Sequence, residues 1–202
     1  MNTTSVFLDR AVAQFASLPG IGRKTAMRLV LHLLRRETKD IESFATTITE
    51  LAHNVQYCHK CHNISDNEIC PICASHSRDH ATVCVVENVQ DVLAIEATQQ
   101  YSGVYHVLGG VISPMDGIGP QDLEIDSLLE RIHQEDLKEL IFALSPTMEG
   151  DTTAFYIYRR MGDITIQTTT LARGVAQNDQ LQYTDELTLG RSLLERRPFN
   201  QT

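Results

Sequence analysis

No tryptophan occurs in the 202 residues, and aromatic side chains make up only 6% of them. Any core must therefore be mainly aliphatic. No apolar run approaches the roughly 20 residues that a membrane helix needs. The longest candidate, Leu29 to Leu34, is interrupted by His32. A signal-peptide layout is missing too, since Asp9 and Arg10 sit inside an amphipathic pattern near the N-terminus. A soluble, cytoplasmic protein without membrane contact is expected. The five cysteines make an odd number, and four of them are clustered. That suits a reducing compartment and a metal better than a disulfide framework. The sequence also has no Gly-x-x-x-x-Gly-Lys-Ser/Thr phosphate loop, no internal repeat and no low-complexity segment.

The charge is unevenly placed. The formal net charge is -9, yet residues 1–80 hold nine Lys/Arg against eight Asp/Glu, and residues 81–202 hold eight against eighteen. Arg23, Lys24, Arg28, Arg35, Arg36 and Lys39 fall within twenty residues, with Glu37 as the one acid among them. A phosphate backbone feels charge over about one Debye length, ~8 Å at physiological salt. A local basic stripe can thus bind nucleic acid on an acidic chain.

Hydrophobic spacing divides the chain. Val6, Phe7, Ala11, Phe15 and Leu18 recur with helical period, and Ser5 is placed to cap them. Pro19-Gly20 breaks that helix. Ala26, Leu29, Val30, Leu33 and Leu34 mark a second helix, and Ile41, Phe44, Ala45, Ile48, Leu51, Ala52 and Val55 a third. Residues 57–80 lose periodicity and carry the clustered cysteines. Beyond them strands are expected at 82–87, 103–110, 138–146 and 163–170, alternating with helices at 88–98, 124–134 and 149–161. Alternation of this kind implies an α/β fold with a parallel sheet flanked by helices. The expected organisation is a helical hairpin region (1–56), a cysteine module (57–80), an α/β domain (81–176) and a C-terminal segment (177–202).

Three groups of residues carry chemistry. In "LPGIGRKTA", Gly20 and Gly22 can adopt positive φ and leave backbone N–H groups open at a helix start, where the dipole favours an anion. Arg23, Lys24 and Arg28 add charge and Thr25 a hydroxyl, which makes a backbone-phosphate site. Cys58-x-x-Cys61 and Cys70-x-x-Cys73 form paired knuckles, the arrangement that closes a tetrahedron around structural Zn²⁺. His59 and His62 break that spacing and are read as surface residues, and Cys84, within an apolar strand, as a small buried hydrophobe. Glu87 and Asp91 follow the first strand of the α/β part, and Glu149 and Asp151 the third. Such acids either gather around a weakly held Mg²⁺ at the carboxyl ends of the strands or complement the dipoles of the helices they begin.

The hairpin residues resemble the helix-hairpin-helix motif of DNA-binding proteins. The Glu after the first strand and the later acid-x-acid pair resemble the Toprim domain of primases and topoisomerases. Taken with the cysteine array, "VCVVE", "SPMDGIGP" and "SPTMEGDTTAFYI", nearly the whole chain resembles the RecR family. The resemblance implies a helix-hairpin-helix, a zinc module and a Toprim domain. It also implies a homo-oligomer, dimeric or a tetrameric ring. Its implied function is that of a non-catalytic, DNA-binding recombination mediator in DNA repair, acting with RecO and RecF to help load RecA on single-stranded DNA. The alternative is a Mg-dependent Toprim nuclease or primase-like phosphoryl-transfer enzyme. Near the C-terminus Asn178-Asp179 stands where the family has Gly-Gly, and Gln182 where it has Glu. The altered side chains argue against a nucleotide role there.

Overall fold

The computed structural model describes residues 5–162, 164–172, 174 and 184–194. The chain forms two compact units, Met1–Val55 and Gln56–Thr202.

The first unit contains α1 (Val6–Ala16), α2 (Arg23–Leu33) and α3 (Thr38–Asn54). Ser5 caps α1 by accepting from the Leu8 N–H at 3.3 Å. Val12 of α1 meets Ala26 and Val30 of α2, with Leu8, Phe15, Ile21 and Met27 packed around them. α3 has the expected apolar stripe but buries no residue. Phe44, Ile48 and Leu51 keep 43%, 52% and 58% of their surface exposed.

The second unit opens with a two-strand ribbon, β1 (Gln56–Tyr57) paired antiparallel with β2 (Ile64–Ser65), and a single turn of helix, α4 (Pro71–Ala74). Then follow β3 (Asp79–Val86), α5 (Val89–Ala97), β4 (Gly103–Val107), α6 (Ile125–Gln134), β5 (Glu139–Ala143), α7 (Met148–Arg160), β6 (Gln167–Thr170) and α8 (Glu186–Leu194). The strands β3 to β6 form one parallel sheet in the order β4-β3-β5-β6, so the α/β fold with a flanked parallel sheet is as expected. The limits of all four strands differ from those expected: β3 begins earlier, at Asp79, and ends at Val86. β4 stops at Val107, because Gly109 and Gly110 turn the chain with φ of 84° and 154°. β5 stops at Ala143, because the next backbone donor beyond Leu144, the Ser145 N–H, is held by the Glu87 carboxylate. β6 begins only at Gln167, and Asp163 lies outside the described residues, as do Asn178, Asp179 and Gln182.

Side chains alternate across the sheet. Val83, Val85, Leu140 and Phe142 share one cluster with Leu128, Leu129 and Ile132 of α6 and Ile157 of α7. Cys84, Val86, Tyr105, Val107 and Ala143 share another with Val92 of α5. Cys84 is buried as expected, and burial pushes its thiol up to about 12. Helices thus cover both faces. Connections from the adjacent strands β3 and β5 leave to opposite faces, and the crevice between their carboxyl ends is the point where ligands of open α/β sheets bind. The free edge of β4 is covered: Arg131 of α6 donates to the Tyr105 carbonyl at 2.8 Å, and the Val107 N–H donates to the Cys61 carbonyl at 2.8 Å. Among the described residues no helix is long and apolar enough to cross a membrane.

The turn from β5 into α7 tolerates no side chain at Gly150. A Cβ there would lie 2.1 Å from the Ser145 carbonyl oxygen, a backbone atom. Gly150→Ala should therefore force the turn open and destabilise the α/β unit by about 1–3 kcal/mol. A urea titration followed by near-ultraviolet circular dichroism checks this; an unchanged midpoint would contradict the packing described.

Candidate metal centre and nucleic-acid interface

The two cysteine knuckles are built by different means. The first lies in the β1–β2 ribbon, where the Cys58 N–H donates to the Asn63 carbonyl and the His62 N–H returns to the Cys58 carbonyl, at 2.8 and 2.9 Å. His62 takes φ of 59° to close that turn. The second knuckle is the start of α4: Cys70 is its N-cap and Pro71 its first residue. All four cysteines are buried, and their four Sγ atoms lie within 4.8 Å of one another. Cys61 and Cys70 Sγ are 3.6 Å apart, close to the ~3.8 Å that two thiolates span on a tetrahedral zinc with Zn–S near 2.3 Å. Backbone N–H groups are aimed at the sulfurs: Cys70 at Cys58 Sγ, 3.3 Å, and Cys73 at Cys70 Sγ, 3.4 Å. The Cys61 thiol, and after it that of Cys73, holds the Cys70 thiol far below its ordinary range; the same contact raises Cys61. The donor set therefore fits zinc and leaves no position for a water ligand.

This module is joined to the sheet. Besides the Cys61–Val107 hydrogen bond, Lys60 pairs with Glu135 at 2.9 Å, and Ile72 packs against the cysteines and against the clusters on both faces of the sheet. His62 is not a surface residue. Its side chain is 21% exposed and its ring meets the fully buried His106 edge-on, centroids 5.2 Å apart. Burial lowers His106 to about 3 and keeps it neutral, with Nε2 2.8 Å from the Glu124 carbonyl. His59 is exposed, as expected. Lys60, His62, His106 and Glu135 have no signal in spacing, because the ribbon's docking edge is set by strand order.

At the hairpin, Gly20 takes φ of 75° but Gly22 does not: it is the extended N-cap of α2, with φ of -75°. Gly22 is thus not needed for a left-handed turn. Nor is it needed for packing, since a Cβ at either glycine would meet no atom within 4 Å. No side chain caps the α2 start, and its first turn contains no acid, so no side chain claims its free N–H donors. Lys24 and Arg28 are exposed, and Thr25 is half-buried. Arg23 is turned from them toward α1, where its guanidinium lies 3.9 Å from Asp9.

Two of the four candidate acids bond backbone donors. Glu87 accepts from the Ser145 N–H at 2.5 Å and so bridges the carboxyl ends of β3 and β5. Asp91 accepts from the Asn88 N–H at 3.0 Å as half of a capping box on α5. Glu149 and Asp151 stand exposed in the first turn of α7. Among the described residues the four cysteines are the only group of three or more candidate ligands within 4.8 Å of one another. Of the candidate acids Glu87, Asp91, Glu149 and Asp151, two carboxylates accept from backbone donors, and the dipole-complementing reading fits the α5 and α7 starts.

Three family matches tile this architecture. Residues 8–52 match the RecR helix-hairpin-helix, 55–75 the RecR zinc finger domain of four cysteines and 81–172 the Toprim domain. Whole-chain relatives are named recombination protein RecR. That of Bacteroides thetaiotaomicron is 59% identical over 198 residues, 98% of this chain and 97% of the relative. That of Bacteroides fragilis is 60% identical over the same shares. That of Cytophaga hutchinsonii is 54% identical over 200 residues, 98% of each chain. An uncapped basic hairpin, a four-cysteine cluster bonded to a sheet edge and a Toprim-type sheet follow in the order these relatives share, and the chain belongs to the RecR family of recombination proteins.

Proposed function

We propose that the chain is a cytoplasmic, non-catalytic DNA-binding mediator of recombination in DNA repair. It works with RecO and RecF to help place RecA on single-stranded DNA. The observation that carries this reading is the α2 start. Gly22 serves neither a turn nor the packing of this chain, and both facts are accounted for if the missing Cβ makes room for a phosphate. Gly20 sets the turn, while Lys24, Thr25 and Arg28 surround the free N–H groups; Arg23 adds long-range charge beside Asp9. Cys58, Cys61, Cys70 and Cys73 hold one structural zinc, whose binding contributes folding free energy to a segment with little core of its own. A homo-oligomer is supported by the apolar stripe of α3, which stays exposed among the described residues. Multiple subunits would raise the effective concentration of weak single hairpins on one DNA. The alternative, a Mg-dependent Toprim nuclease or primase-like enzyme, draws no support from the acids as they lie.

Three outcomes are expected. Cys61→Ser should lower zinc to well below one ion per chain by native mass spectrometry, and speed hydrogen exchange at residues 57–75 and at Val107. Freshly reduced protein that binds no zinc would contradict the assignment. Lys24→Ala with Arg28→Ala should weaken binding to all DNA sequences alike. It should flatten the slope of log K against log salt by about 0.9 per lost phosphate contact on duplex, or about 0.7 on single strands. Arg159→Ala with Arg160→Ala, on the acidic half, is the control and should leave that slope unchanged. Plasmid incubated with Mg²⁺ or Mn²⁺ should stay intact; cleavage abolished by Glu87→Gln would restore the enzymatic reading.

A further inference from the structure

The cationic surface does not end at the hairpin. Along α2 and just past its C-cap runs a groove of about 490 Å³, lined by Lys24, Thr25, Met27, Arg28, Leu31, His32 and Arg35. Lys24, Arg28 and His32 succeed one another at intervals of four residues, so they stand above each other on one helix face. Arg35 continues the row. Ala26 and Val30 face the other way, into the contact with α1, which fixes this face outward. Arg23 is not part of the row, being turned to Asp9. Among the described residues no ion pair engages Lys24, Arg28 or Arg35.

Between the cations the lining is apolar. Leu31 is 45% exposed although it sits in the middle of the basic row, and Met27 flanks it. A surface meant only to hold solvated charge has no use for an exposed leucine there. A nucleic-acid strand offers both complements: phosphates for the cations, and sugar carbons or base faces for the apolar side chains. From Lys24 to Arg35 the row is about 16 Å long at 1.5 Å per residue. Consecutive phosphates of one strand are spaced by about 3.4 Å along a duplex axis, so the row can meet several.

We infer that one DNA strand lies along this groove, its phosphates following Lys24, Arg28, His32 and Arg35 and its sugars resting on Leu31 and Met27. This rests on the hairpin reading and extends it: the α2 N-terminus anchors one phosphate, and the helix face beyond it tracks the strand. Arg35 thereby becomes a DNA contact eleven residues from the Lys24 end, beyond the "LPGIGRKTA" turn though within the matched helix-hairpin-helix region.

The test is fluorescence anisotropy of a labelled oligothymidylate and of a labelled duplex against salt, with the zinc-loaded full chain. Arg35→Gln should lower the single-strand slope by about 0.7, or the duplex slope by about 0.9, for each bound subunit. Leu31→Ala should leave the slope intact and lower the affinity extrapolated to 1 M salt by about threefold or more. Far-ultraviolet circular dichroism should be unchanged for both, since neither side chain is buried. If Arg35→Gln keeps full slope while Lys24→Ala with Arg28→Ala loses it, the groove is overturned and the hairpin stands. If none of the three changes the slope, both readings fail. If an acidic peptide such as polyglutamate binds through Arg35 and the oligonucleotide does not, the groove is a protein site and the inference is wrong.

Discussion

Four buried sulfurs within 4.8 Å of one another are the constraint on which residues 57–75 depend. The cluster that surrounds them consists of the cysteines themselves and Ile72, so no aliphatic core holds the segment in place. Thiolates crowded in this way repel one another unless a cation is shared, and a closed tetrahedral zinc supplies that charge. The consequence reaches the sheet. The Cys61 carbonyl meets the Val107 N–H at the outer edge of β4, where an unpaired edge would otherwise invite another strand. Metal, knuckle and sheet edge therefore form one mechanical unit within the second half of the chain.

The excess of acid and the phosphate site proposed for α2 fall in different units of the chain. The first 80 residues are nearly neutral overall and concentrate their cations on α2 and the turn after it, while the α/β part carries the excess of acid. At physiological salt the field of either part is screened over ~8 Å. On the proposed reading, a DNA backbone on α2 would meet the cations Lys24, Arg28 and Arg35. Part of that acid caps its own helices, as Asp91 does at α5.

What could be read from the residues follows a simple physical division. The helices, the order of strands and the cysteine pairs are written in local period and spacing, so α1, α5 and the four ligands appear where expected. Side-chain destinations across the chain are not written locally. That Glu87 accepts from the Ser145 backbone donor has no signal in local spacing. His62 looks like a surface residue until strand order brings His106 beside it. That Asp9 of α1 lies 3.9 Å from the Arg23 guanidinium has no signal in local spacing either. Gly22 shows the reverse case: the glycine is visible in the sequence, but in the structure it is the extended N-cap of α2 with open space around it. The stripe of α3 was legible too, while its exposure was not.

The central claim is that DNA is held by α2 and not by the acidic sheet. Hydrogen exchange of the full-length, zinc-loaded protein with and without a single-stranded oligonucleotide tests it directly. Slowed exchange should be confined to the α2 region, from the turn at Gly20 through Arg35, with β3 to β6 and the first turn of α7 unchanged. Protection centred instead on Glu87, Glu149 and the carboxyl ends of β3 and β5 would contradict the account.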